Sequence, residues 1–300
     1  MALAGAIALV LLADGAAIRL QDRATPYAAD RALAEFRADG GDPAPTASGT
    51  PDATPRASSR AGAAPTSRGA SARPGAPAPR GSTPASTAAP RAAGTPQRPE
   101  PEVESGVYSY LTRGHEEVDA LGGARHDYPA QSTITYRRTG CGSRDSWQPL
   151  EGRTSSSLVC RSSSGLELRQ SMQRREFFGQ SETQELACTG VVVVPDDPTP
   201  GATSTGQCRS DDTMLRLTSR VVDTRPLTIN GKPIRAVHLR VTGTLTGSTR
   251  GSTLREVWLT DGGLLLRALG TTDTDRDTSA GVVRYTEDYE LRLESLQPQR

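Results

Sequence analysis

The residues that could do chemistry are few: three histidines, four cysteines and one glutamate set among apolar neighbours. His115 and His126 are spaced so that both could approach one site with Glu116, Glu117 or Asp119. Polar positions on the edges of a hairpin are the plainer reading of the same residues. His115-Glu116-Glu117 lacks the second histidine of an HExxH zinc motif. No GxSxG elbow, P-loop or GxGxxG turn is present. His238 falls on the polar face of a strand pattern, solvated or paired with a neighbour. The chain is expected to be non-enzymatic, with no catalytic residue, metal or cofactor. An enzymatic reading would need a second carboxylate beside Glu287.

Glu287 is the sharpest anomaly. Val283, Tyr285, Tyr289, Leu291 and Leu293 share one face of a period-two run, and Glu287 lies on that face. A buried carboxylate is costly unless paired. Three settings fit: a polar ligand cavity, a salt bridge to an arginine, or a β-bulge near Thr286 that turns it outward. Phe177-Phe178 before Gly179 puts two adjacent aromatics on opposite faces, one for the core and one for a loop or pocket. Phe177, Phe178 and Glu287 are therefore the candidate ligand or partner contacts.

The four cysteines, Cys141, Cys160, Cys188 and Cys208, include no C-x-x-C pair, which argues against a zinc site. An even count in an exported chain reads as two disulfides. Of three possible connectivities, Cys141–Cys160 and Cys188–Cys208 are favoured, since each closes a loop of about 20 residues between neighbouring strands.

These residues need a fold, and the composition confines it. From Asp42 to Glu104 the only large aliphatic residue is Val103, and there is no aromatic residue, cysteine or histidine. Such a segment cannot offset its ordering entropy by burial. Residues 42–104 read as a disordered Ala/Pro/Ser/Thr/Arg-rich linker, and residues 105–300 as one disulfide-stapled β domain. Its strand pattern is mainly alternating, with one wet face. Candidate runs lie at 106–112, 115–121, 131–138, 156–161, 165–174, 182–188, 190–194, 213–222, 234–246, 252–260, 263–272 and 281–294. Turns are marked at Asn230-Gly231-Lys232 and Asp261-Gly262-Gly263. The expected fold is mainly β, with about ten to eleven antiparallel strands in a curved sheet, half-barrel or sandwich.

At the N-terminus, Ala2–Ala13 is an unbroken small-apolar run, too short for a bilayer span of about 20 residues. Residues 1–24 read as an apolar anchor, or alternatively as a cleaved signal segment. Residues 25–41 read as a short juxtamembrane helix opening at Thr25-Pro26. Either reading places the β domain outside the cytoplasm. The net charge of +1 gives no general pull toward nucleic acid.

The run GlyValTyrSerTyrLeuThrArgGlyHisGluGluValAspAlaLeuGlyGlyAlaArgHisAspTyrPro at 106–129 resembles an exported or membrane-anchored actinobacterial domain family. The resemblance continues through ThrGlyCysGly at 139–142, GluPhePheGlyGln at 176–180 and TyrThrGluAspTyrGluLeuArgLeuGluSerLeu at 285–296. It implies a cell-envelope location and no assigned activity. The TrpLeuThr, AspGlyGly and LeuLeuLeuArg order is similar to LolA and LppX type lipoprotein carriers, in which a curved sheet encloses a lipid cavity. Two functions follow as expectations: a membrane-tethered module that binds an envelope protein, polymer or lipid, or a hydrophobic-ligand carrier. The carrier needs an interior pocket of about 300 Å³ or more.

Overall fold

The computed structural model describes residues 22, 24–40, 103–278 and 281–300. The expected anchor and nearly all of the expected linker lie outside these residues. Among the described residues, no helix is long and apolar enough to cross a membrane.

The β domain is one antiparallel sheet. Its strands are β1 (Gly106–Val118), β2 (Ala124–Asp127), β3 (Gln131–Thr139), β4 (Gly142–Leu150), β5 (Arg153–Ser162), β6 (Gly165–Phe177) and β7 (Gln180–Pro195). Then follow β8 (Thr203–Arg209), β9 (Thr213–Ile229), β10 (Lys232–Gly247), β11 (Thr249–Leu259), β12 (Leu265–Thr278) and β13 (Gly281–Leu293). Each strand pairs with its neighbour in sequence, except that β1 pairs with β2, β3 and β13. The pairing thus returns on itself through β1–β13. The mainly β expectation holds, with 13 strands rather than ten or eleven.

The extra strands have identifiable causes. β2 is four residues long. β4 carries Arg144, Asp145 and Pro149, so its sequence has no apolar alternation. β8 is built of small polar residues around Cys208. In the other direction, the runs at 106–112 and 115–121 are one strand. Gly114 is needed where β1 passes β13: a Cβ there would lie 2.1 Å from the Asp288 carbonyl oxygen. The runs at 182–188 and 190–194 also join, as β7.

Alternation sets the inward face. On β1, Tyr108, Tyr110, Thr112, Glu116 and Val118 are buried, and on β13 so are Tyr285, Glu287, Leu291 and Leu293. The main core joins Tyr108, Tyr110, Tyr136, Trp147, Leu266 and Leu293. The Tyr110 hydroxyl donates to the Leu265 carbonyl at 2.8 Å, and the Leu265 N–H donates to the Tyr136 hydroxyl at 3.2 Å. These bonds tie β12 to β1 and β3 across the concave side.

The expected turns form. Asn230 and Gly231 both take positive φ, of 46° and 76°, as a two-residue hairpin turn between β9 and β10 requires. Both disulfides have the favoured connectivity, Cys141–Cys160 and Cys188–Cys208.

The expected helix is α1 (Ala29–Ala38), but it opens after Ala28 with no side-chain cap and not at Thr25-Pro26, because Pro26 is held in a bridge to Leu150. It lies against the outer face of β1, where Tyr27, Ala32 and Phe36 cover Val107. The segment before it adds a bridge, Pro26 to Leu150, with Tyr27 N–H donating to Pro149 and Glu151 N–H to Thr25.

Candidate functional site

Glu287 faces inward, and its partner in the β1–β13 register is Glu116. Two carboxylates directly opposite across a ladder repel. Arg153, at the start of β5, lies between them. Its Nη2 donates to Glu287 Oε1 at 2.8 Å, and its Nε lies 3.4 Å from Glu116 Oε2. All three side chains are nearly inaccessible to solvent. Of the three settings read for Glu287, the salt bridge is the one observed.

Tyrosines complete the cluster. The Tyr128 hydroxyl donates to Glu287 Oε1 at 2.6 Å, and the Tyr285 hydroxyl donates to Glu116 Oε2 at 3.0 Å. Burial alone would raise the Glu287 pKa, but the Arg153 and Arg175 charges and the Tyr128 hydroxyl hold it below its ordinary value. Burial raises the Tyr128 and Tyr285 hydroxyls, so both stay protonated donors. Burial would lower Arg153, but Glu287 and its other acidic neighbours raise it well above its usual value.

His126 extends this network. It lies opposite Glu116 on β2, with Nδ1 3.2 Å from Glu116 Oε1 and Nε2 3.1 Å from Asp22 Oδ2. Burial would lower its pKa, but the two carboxylates outweigh that and raise it. Phe177 stacks on the imidazole at 4.4 Å. The hairpin-edge reading is corrected here, because Glu116 and His126 are buried. His115 points to the opposite face, where it pairs with Asp288 at 2.7 Å, so the two histidines do not converge. His238 is paired rather than solvated: it contacts Glu256 at 2.6 Å and stacks on Trp258.

Phe178 occupies the β6–β7 turn with φ of 53°, unusual for a bulky residue. Phe177, Phe178 and Glu287 are thus near one end of the sheet, where β1 reaches Val118, and none of them lines the interior cavity. A second carboxylate does stand beside Glu287, but a guanidinium occupies the space between the two. Among the described residues, no group of three or more His, Cys, Asp or Glu side chains is placed to hold a metal ion.

The interior cavity has a volume of about 220 Å³. It is bounded by inward residues of β3–β7 and β9–β12, aliphatic ones such as Leu186, Val191, Leu217 and Val241 together with polar ones such as Ser157, Gln173 and Thr253. The β11–β12 turn bounds it at one end, with Gly263 packed so closely that a Cβ would meet Leu166 Cδ1 at 2.9 Å. Toward the other end an ion pair joins Arg276 on β12 to Glu182 on β7. Those strands are five places apart in a sheet spaced about 4.8 Å per strand, so the pair spans the concave side. Three charged residues line the cavity: Asp145, Arg175 and Arg255. The sequence reading missed them because a charged residue on an inward face breaks the alternation that marks the strand.

Comparison with protein-family models, with curated proteins and with solved structures returns no match.

Proposed function

We propose that the chain is a non-enzymatic binding module of the cell envelope, working outside the cytoplasm, that takes a small apolar molecule into the interior of its curved sheet. The observation that carries this reading is the cavity of about 220 Å³ lined by nine strands, with an aliphatic patch that includes Leu186, Val191, Leu217 and Val241. Ligand sites of this kind are concave and mostly apolar, with a few placed polar groups. The volume falls short of the roughly 300 Å³ that a lipid carrier needs, so a lipid carrier is not proposed and the ligand read here is a single short chain. Two disulfides are compatible with an oxidising compartment. The clamped carboxylate pair supports the non-enzymatic part, since a group locked as an ion pair is a poor proton shuttle.

The test is titration with octanol, followed by methyl NMR. Saturable shifts are expected at Leu186, Val191, Leu217 and Val241. Val241→Phe should abolish them while the rest of the spectrum stays native. Absence of saturable binding by the unsubstituted protein, for octanol and for charged octyl compounds alike, would overturn the reading.

A further inference from the structure

The charged residues of the cavity point to a class of ligand. Arg255 lies on the inward face of β11, between Val241 of β10 and Gly270 of β12. Gly270 leaves the space that the Tyr289 ring fills, since a Cβ there would fall 2.3 Å from Tyr289 Cζ. Arg255 therefore sits beside an aromatic ring, at a cavity wall that mixes Val241, Val257 and Leu259 with Thr253 and Thr272. Among the described residues it makes no hydrogen bond and no ion pair, unlike the buried Arg153. Arg175 lines the same cavity from β6. Its guanidinium stacks over the Tyr285 ring at 3.9 Å and bonds to Gln173, and its Nε is buried without a partner. The counter-charge within the cavity is Asp145 alone, on β4, and it forms no ion pair with Arg255.

We propose that the occupant is a single-chain anionic amphiphile, with its head group held by Arg255 and flanked by Arg175, and its tail among Leu186, Val191, Leu217 and Val241. The proposal rests on the cavity being a ligand site, as argued above. Two guanidiniums against one carboxylate favour an anion over a cation. A half-buried arginine with unused donors at the cavity wall is suited to a planar or tetrahedral oxyanion.

Asp145 links this binding to pH. Burial raises its carboxyl to about 7, opposed by its own backbone N–H, by Arg255 and Arg144, and by the Ser157 hydroxyl. Tyr136 from β3 and Tyr110 from β1 also face it. Above about 7 Asp145 is ionised and repels an incoming anion. Below that value it is neutral and the repulsion is gone. Anion binding thus strengthens as pH falls.

The experiment compares octanesulfonate, whose charge does not titrate in this range, with octanol and octylammonium, by calorimetry on the full chain. Octanesulfonate is expected to bind about tenfold more tightly than octanol, or better, with octylammonium weakest. Arg255→Gln should bring octanesulfonate to the level at which the same variant binds octanol. Lowering the pH through about 7 should tighten octanesulfonate binding in the unsubstituted protein but not in Asp145→Asn. If octanol or octylammonium binds as tightly as octanesulfonate, the anionic assignment is wrong while the cavity reading stands. If none of the three binds, both fall.

Discussion

Arg153 is the residue whose loss the cluster can least absorb. With Arg153→Met, Glu116 and Glu287 would face each other across β1 and β13, buried and without the charge that separates them. Breaking a buried pair from one side costs about 3–5 kcal/mol. We expect a lowered urea midpoint of that size, and partial recovery when Glu287→Leu is added, because the pair itself is worth less than its half-removal costs. A double variant no more stable than Arg153→Met would show that the arginine acts by packing. The sign of the pH response follows from the same geometry. Glu287 is held below its ordinary pKa in the fold, so its contribution is full above the unfolded carboxyl value. It is lost as pH falls through the folded one. Half of this cluster is visible in the sequence. Glu287 breaks an unmistakable apolar face, whereas Glu116 breaks the equivalent face of β1 and is masked by Gly114, which interrupts the period. Arg153 opens β5 ahead of the run read at 156–161, whereas His126, on the four-residue β2, was read from its spacing to Glu116 and not from any alternation.

At the scale of elements, the two disulfides differ in surroundings although their loops are alike, with sequence separations of 19 and 20. Cys208 and Cys188 are buried in an apolar cluster with Leu186, Val191 and Leu217. Cys141 is exposed at the β3–β4 turn. Loop entropy alone assigns each bridge about 3 kcal/mol. Replacing both members of a pair with Ser should therefore cost more at Cys188 and Cys208, where two hydroxyls enter an apolar site, than at Cys141 and Cys160. Equal shifts in denaturation midpoint would show that loop entropy dominates at both. The pairing was legible because each pair spans one hairpin, or two strands joined by one connection. Strands such as β10 and β13 were legible for a similar reason: inward aliphatics alternate with outward Arg, Thr and Glu. β4 was not, because its cavity-lining positions are Ser143 and Asp145, and β8 was not, because it consists of small polar residues around Cys208. The interior is least readable where it is polar, which is where the candidate ligand contacts lie.

At the scale of the whole molecule, α1 is part of the same body as the sheet. The helix packs on β1, with Phe36 under the Arg137 guanidinium at 4.7 Å and Arg31 paired with Glu151 at 3.0 Å. Residues 22, 24–40, 103–278 and 281–300 thus belong to one body. The helix sequence hints at this docking, since Tyr27, Leu33 and Phe36 form an apolar stripe that needs a surface. The surface itself is not evident from β1, because Val107 is on the strand face expected to be wet. A chain beginning at Val103 should therefore be less stable than the full chain. Burying Tyr27 and Phe36 at roughly 1.5–3 kcal/mol each gives an upper estimate of about 3–6 kcal/mol. Phe36→Ala in the full chain should cost about 3 kcal/mol. Urea denaturation followed by tryptophan fluorescence reads both, because Trp147 lies in the core that β4 shares with the docked segment. Matching midpoints for the shortened and full chains would show that the helix rests on the domain without stabilising it.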